Sequence, residues 1–181
     1  VVTAKATHEV LSSVKDSLPE GSAAIIVDPS GTVVASSEQY PATPVDLSDR
    51  DWLHAHRDED VHFRVSASLI SRVTHRKIFV ITRSILAADD RFLGVVNIGI
   101  PSDALVGRDA LPDFGPGTVL TLMKSDGGVL AQNDFPDELV GTSLSPWRGT
   151  DAEIKLVTER AADGRVSIEE RVPETHYSLV A

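Results

Sequence analysis

The side chains best suited to hold an anion lie in Asp46-Leu47-Ser48-Asp49-Arg50-Asp51-Trp52 and in the stretch that follows it. Ser48 and Asp51 have the spacing of a capping box, which predicts a helix beginning near Asp49 with Arg50 and Trp52 in its first turn. Helix N-termini present unsatisfied N–H groups and the positive end of the helix dipole, and a guanidinium grips a carboxylate through two hydrogen bonds. Trp52 would add a flat apolar wall. From residue 61 to residue 88 there is no Asp or Glu, yet Arg64, Arg72, Arg76, Lys77 and Arg83 occur there, with His62 and His75. Five fixed positive charges in a chain of formal net charge −10 predict a positive cavity or face that attracts small anions. The plainer arrangement of the same residues is a solvated sheet face paired with Asp58, Glu59 and Asp60, with Arg50 on Asp49 and Trp52 in the core.

Other chemistries find less support. The sequence has no Gly-x-Ser-x-Gly elbow, glycine-rich phosphate loop or metalloprotease helix motif, so the expectation is a binding module rather than an enzyme, with no cofactor. His54, His56, Asp58 and His62 have metal-ligating types, but residues two apart on a helix point about 200° from each other. With no Cys there is neither a disulfide framework nor thiolate chemistry. The net charge of −10 and a pI near 4.9 argue against a nucleic-acid partner.

These residues need a scaffold. Val2, Ala6, Val10, Val14 and Leu18, with Leu11 beside them, form an apolar stripe over residues 1–18, which predicts a helix ended by Pro19-Glu20-Gly21. Such a helix suits a support and a dimer seam, or an ordinary packed helix. Residues 23–27 and 32–36, joined by Asp28-Pro29-Ser30-Gly31, read as a hairpin, and strand-like runs follow at 61–67, 77–85 and 94–100. About a hundred residues later the hairpin plan returns as 118–123, the turn Ser125-Asp126-Gly127-Gly128, and 129–132, with Gly31 aligned on Gly127. A helical stretch at 136–144, a mixed stretch to Arg160 and closing strands at 165–172 and 176–181 repeat the order of elements. The expected fold class is therefore α+β: a long N-terminal helix (1–20) supporting two lobes, 21–108 and 109–181, each a mostly antiparallel sheet flanked by helices. The boundary falls in the Gly- and Pro-rich segment 101–116.

Asp49-Arg50-Asp51-Trp52, Ser71-Arg72 with Thr74-His75, Thr82-Arg83-Ser84-Ile85 and Phe92-Leu93-Gly94-Val95-Val96 together resemble the membrane-distal lobe of double Cache sensor domains, also called tandem PAS-like or PDC domains. Lys124-Ser125-Asp126-Gly127 and Val140-Gly141-Thr142-Ser143-Leu144 resemble the membrane-proximal lobe. The resemblance implies a periplasmic or otherwise extracytoplasmic domain, flanked by transmembrane helices and homodimeric in the intact receptor, most similar to those of sensor histidine kinases. The start at Val1 and the stop within an apolar run fit a segment taken from such a receptor. Diguanylate cyclases and chemotaxis receptors are the alternative outputs, and a ligand-free partner-binding ectodomain is a further alternative.

In amino-acid-binding members of that family an Arg-x-Trp-Tyr motif holds the ligand carboxylate, and an Asp on the last distal strand receives the amine. Here Arg50-Asp51-Trp52-Leu53 keeps the Arg and Trp, and the Asp position falls on Gly99. The resemblance therefore implies a small-molecule ligand, a carboxylate or other small anion, held by Arg50, Trp52, Arg72, His75 and Arg83, with Gly99 where an amine partner would stand.

Overall fold

The structure is a computed structural model that describes residues 4–106, 121–124, 126–132, 136–144, 159–160, 166–167, 169–171 and 177–180. Along the chain run α1 (Ala4–Lys15), β1 (Ala23–Val27), β2 (Val33–Ser36), α2 (Asp51–Asp58), β3 (Phe63–Val65), β4 (Leu69–Ile70), β5 (Lys77–Leu86), β6 (Phe92–Pro101), α3 (Asp103–Val106), β7 (Thr121–Lys124), β8 (Val129–Gln132), β9 (Glu159–Arg160), β10 (Val166–Ser167), β11 (Glu169–Arg171) and β12 (Tyr177–Val180). The chain divides into two compact units, Val1–Ser66 with Ser71–Pro101, and Ala67–Ile70 with Ser102–Ala181.

In the first unit the strand order is β2-β1-β6-β5-β3, antiparallel throughout. β1 lies inside the sheet, between β2 and β6, and is apolar along its whole length, so both faces can be covered. Along β5 and β6, Val80 lies opposite Gly99 and Thr82 opposite Asn97. Because side chains alternate across a strand, these four share one face, and α2 packs on this sheet with Trp52, Leu53, Ala55 and His56 buried. Leu53, Val27 and Val95 are fully inaccessible and mark the core.

Two helix expectations change. The described N-terminal helix is 12 residues long and ends at Lys15, short of the predicted support, and its apolar stripe does not face the core. Val10 is 61% exposed while Leu11 is buried. The helix is turned by polar bonds along the Leu11 side: His8 Nδ1 lies 2.7 Å from the Ser36 carbonyl, Ser12 Oγ donates to the Ser37 carbonyl at 3.2 Å, and Lys15 pairs with Glu38 at 2.7 Å. For α2, Arg50 itself is the N-cap, and no side chain caps the helix. Ser48 is engaged elsewhere, its N–H donating to Asp46 Oδ1 at 2.9 Å, so an Asx turn replaces the predicted capping box.

In the second unit β11-β12-β7-β8 form one antiparallel sheet, and β9 pairs with β10. The predicted helical stretch 136–144 is only a 3-10 turn, Asp137–Leu139, because Gly141 adopts φ 75° and Ser143 then bridges to Gly128. The segment 107–120, which holds most of the predicted boundary, lies outside the described residues.

The hairpin repeat extends to individual hydrogen bonds. Gly31 and Gly127 take φ of 95° and 90°, a region glycine reaches without Cβ strain. Asp28 N–H donates to the Thr32 carbonyl and Lys124 N–H to the Gly128 carbonyl, both at 2.9 Å. Each hairpin carries a register shift before its turn, at Ile26/Val27 and at Leu122/Met123. Each turn then receives a returning segment: Leu47 N–H reaches the Gly31 carbonyl at 2.8 Å, and Leu144 N–H reaches the Gly127 carbonyl at 2.9 Å.

Candidate functional site

The six residues before β5 build one wall of the site. Ser71 is buried, and its Oγ accepts from the N–H groups of Val73 and Thr74 at 3.1 and 3.0 Å, while His75 N–H donates to the Ser71 carbonyl at 3.0 Å. This side-chain-nucleated turn closes with His75 at φ 56°, a left-handed conformation that histidine reaches more readily than bulkier or branched residues. Packing so many residues into one turn puts Arg72, His75 and Arg76 together. Gly21, at φ 81°, lies beneath the Arg76 guanidinium, and any Cβ there would collide with it.

The result is a cleft of about 520 Å³ within the first unit, bounded by this turn, the end of α1, β2 and the loop behind β2. Among the described residues its cations are Lys15, Arg72, Arg76 and, when protonated, His75, and the carboxylate lining it is Glu38, 2.7 Å from Lys15. Thr74 also lines it, and Thr74 Oγ1 is buried with no hydrogen-bond partner among the described residues. A buried hydroxyl left so costs about 1–3 kcal/mol. A cavity of this size takes a small organic molecule, and its excess of positive charge favours an anionic one.

Arg72 joins the cleft to the start of α2. Its guanidinium donates to Asp49 Oδ1 and Oδ2 at 2.6 and 2.8 Å and to the Asp46 carbonyl at 3.0 Å. The hydrogen bonds from Arg72 hold the Asp49 carboxyl below its ordinary range, and Asp49 in return raises Arg72. Arg50 stands next to this pair, half-buried, and burial followed by the nearby charge of Arg72 pushes its guanidinium below the usual arginine range. The Arg50 carbonyl accepts from Leu53 N–H at 2.9 Å, so its position is tied to that of α2.

The remaining predicted residues lie elsewhere. Trp52 is 3% exposed and belongs to the core under α2. Arg83 is exposed on β5 between buried Thr82 and half-buried Ser84, opposite Phe63 and Val96, on the strand face away from α2. Gly99 is buried within the sheet, opposite Val80 and Ala23, where an added Cβ would come within 2.9 Å of Ile78 Cδ1. The structure thus brings Arg72 and His75 together, with Arg50 beside Arg72, and leaves Arg83 and Gly99 outside the cleft. Arg76 belongs to the basic run 61–88, whereas Lys15 and Glu38 carry no local signal because chain crossings bring them to the cleft.

His54 and His56 point apart: His54 Nδ1 lies 3.3 Å from Asp58 Oδ2, while His56 turns into the interior. Among the described residues no three His, Cys, Asp or Glu are grouped to hold a metal ion. None of the described helices is long and apolar enough to cross a membrane.

Solved structures share this architecture. The extracellular domain of the nominal histidine kinase rpHK1S-Z16 matches with a TM-score of 0.69 at 23% identity, over 96% of this chain and 74% of that one. The ligand-binding domain of the Pseudomonas fluorescens chemoreceptor CtaA in complex with L-isoleucine gives 0.62 at 20% identity, over 98% and 74%. The sensor domain of the V. cholerae histidine kinase DctB gives 0.56 at 12% identity, over 98% and 77%. These structural neighbours are sensor and ligand-binding domains, and at such identities the likeness establishes the fold. No family model matches the chain, and no curated protein matches it in sequence.

Proposed function

We propose that this chain is the extracytoplasmic sensing domain of a bacterial transmembrane receptor, with a histidine kinase as the favoured output. On this reading residues 21–108 are the membrane-distal, PAS-like lobe of a double Cache domain, residues 109–181 are the membrane-proximal lobe, and the intact receptor is a homodimer. The distal lobe binds a small carboxylate or other small anion. The observation that carries the reading is the cationic cleft, lined by Lys15, Arg72, His75 and Arg76 together with Glu38 and with Thr74, whose Oγ1 has no hydrogen-bond partner among the described residues. Arg50, at the start of α2, registers how Arg72 divides its hydrogen bonds between Asp49 and the ligand. A ligand shifts the receptor only by its difference in affinity for two states, so the exchange of Asp49 for a ligand carboxylate on Arg72 is the step at which occupancy would be felt.

An α-amino acid is the second reading. Gly99 supplies no carboxylate, but Glu38 on the cleft does, and the neighbour CtaA is solved with L-isoleucine. The melting temperature of the chain is to be measured with acetate, succinate, inorganic phosphate and L-alanine. Stabilisation of about 2.7 kcal/mol is expected at a hundredfold excess over Kd for the matching class. Arg76→Ala and His75→Ala should each remove most of that rise while leaving the unliganded melting temperature nearly unchanged. A full rise in both variants would refute the cleft as the site, and no rise with any compound would favour a ligand-free ectodomain.

A further inference from the structure

α2 is fastened to the sheet by a buried imidazole. His56 is 4% exposed, and its two nitrogens face different partners. Nδ1 meets the Val61 carbonyl, and Ser84 Oγ lies 2.8 Å from the same nitrogen. Nε2 lies 2.8 Å from Thr82 Oγ1, which is 3.1 Å from the Arg64 carbonyl, and Ser84 Oγ is 3.1 Å from the Val61 carbonyl.

Donor and acceptor rules limit the protonation states. A carbonyl only accepts, so Nδ1 must carry hydrogen, and the exchangeable proton is the one on Nε2. In the neutral imidazole Nε2 has a lone pair, and the Thr82 hydroxyl donates to it. In the imidazolium Nε2–H donates to Thr82 Oγ1, whose own hydrogen then turns to the Arg64 carbonyl. Both states keep every nitrogen bonded, and the rotation of one hydroxyl exchanges them. What separates them is charge.

Burial is the largest effect and pushes His56 below the ordinary histidine value of 6.5, with Arg64 and His62 adding to it and the bond to Val61 opposing it. The groups around it are few. Arg64 is on β3 and His62 precedes it; exposed Asp60 lies 3.8 Å from His62; β6 carries no titratable side chain; and Arg83 on β5 occupies the other face. On α2 itself His54, Arg57 and Asp58 bond to one another at the surface, and Glu59 is exposed. Among the described residues no carboxylate is hydrogen-bonded to the ring.

We propose that His56 is a proton-operated latch between α2 and the sheet: neutral, it holds the helix down through Thr82, Ser84 and Val61, and protonation in acid loosens that seat. Its bearing on anion capture, through Arg50 at the head of α2, rests on the function proposed above; the latch itself does not. The sign follows from linkage. A base whose folded value is depressed stabilises the fold fully above its unfolded value and loses that contribution as pH falls from 6.5 through the folded value.

The test uses the ligand-free chain. Histidine Cε1–H resonances are followed by NMR from pH 8 to pH 4.5, with the His56 signal identified by its loss in His56→Gln, and urea unfolding is measured over the same range. His56 should titrate below 6.5, and the stability that wild type loses as pH falls below 6.5 should be absent from His56→Gln. Thr82→Val, which removes the turning hydroxyl and leaves Nε2–H without an acceptor, should lower the His56 midpoint further, by about one pH unit. A merely structural Thr82 would leave that midpoint unmoved. A wild-type midpoint at or above 6.5, or an unmoved midpoint in Thr82→Val, would overturn the latch. Neither result depends on whether any anion binds.

Discussion

Trp52 separates what a residue type permits from what its surroundings make of it. Next to Arg50 it suggests an aromatic wall for a ligand, yet at 3% exposure its indole is packed beneath α2. Trp52→Ala is therefore expected to cost about 3–5 kcal/mol in urea unfolding, as for other aromatic truncations in cores. Trp52→Phe should recover most of the loss; a cost near zero for Ala would mean the ring is not packed. Arg83 teaches the same lesson on a strand. Its charge was legible, but which face it takes depends on the pairing of β5 with β3 and β6, and a shift of one residue would have exchanged it with Thr82. Arg72 and His75 stand together because both lie in one turn nucleated by Ser71, a turn the sequence alone did not single out. Lys15 and Glu38 were not legible, since nothing in their own segments specifies the crossing that brings them to the cleft.

At the scale of elements, the strands were readable because short apolar runs bounded by Asp, Pro and Gly have few other folds, and β1, β5 and β6 lie within a residue or two of their predicted positions. Helices fared less well. The stripe through Val10 and Val14 has helical spacing, but the polar bonds of His8, Ser12 and Lys15 outrank it in orienting α1, and a hydrophobic count cannot anticipate them. The turn at Gly31 is the element on which the first hairpin depends. Asp28 Oδ1 accepts from Ser30 N–H at 2.9 Å and Thr32 N–H at 3.0 Å; burial works against its ionised form, but these bonds and that of Ser30 Oγ prevail and hold the carboxyl below its ordinary range. A Cβ at Gly31 would strike the Ser48 backbone at φ 95°. Gly31→Ala should thus destabilise by more than about 1 kcal/mol, with the loss visible as a lowered urea midpoint. An unchanged midpoint would show that the segment around Ser48 moves aside at no cost, and that the shared plan of the two turns carries little energy.

Across the whole molecule, 27 acidic side chains oppose 17 Lys and Arg, and the segment 61–88 concentrates five of the positive charges where no Asp or Glu stands. The rest of the surface is correspondingly more negative and repels itself at neutral pH, a cost spread over many pairs. The attractive contacts that could offset it are mostly exposed: Lys5–Glu9, Arg72–Asp49 and Arg91–Asp89 all lie at the surface, where ion pairs are worth little. Screening should therefore remove more repulsion than attraction. Raising sodium chloride from about 20 mM to about 500 mM shortens the screening length from roughly 20 Å to roughly 4 Å. At pH 7.5 that change should raise the melting temperature, and near the isoelectric point of about 4.9, where net repulsion vanishes, the rise should disappear. A melting temperature that falls with salt at pH 7.5 would mean that the surface pairs, not the excess of acid, dominate the electrostatics of the fold. Chloride is itself an anion, so the same series in His75→Ala tells screening from occupation of the cleft: a screening effect survives the substitution, and a bound-ion effect is lost with it.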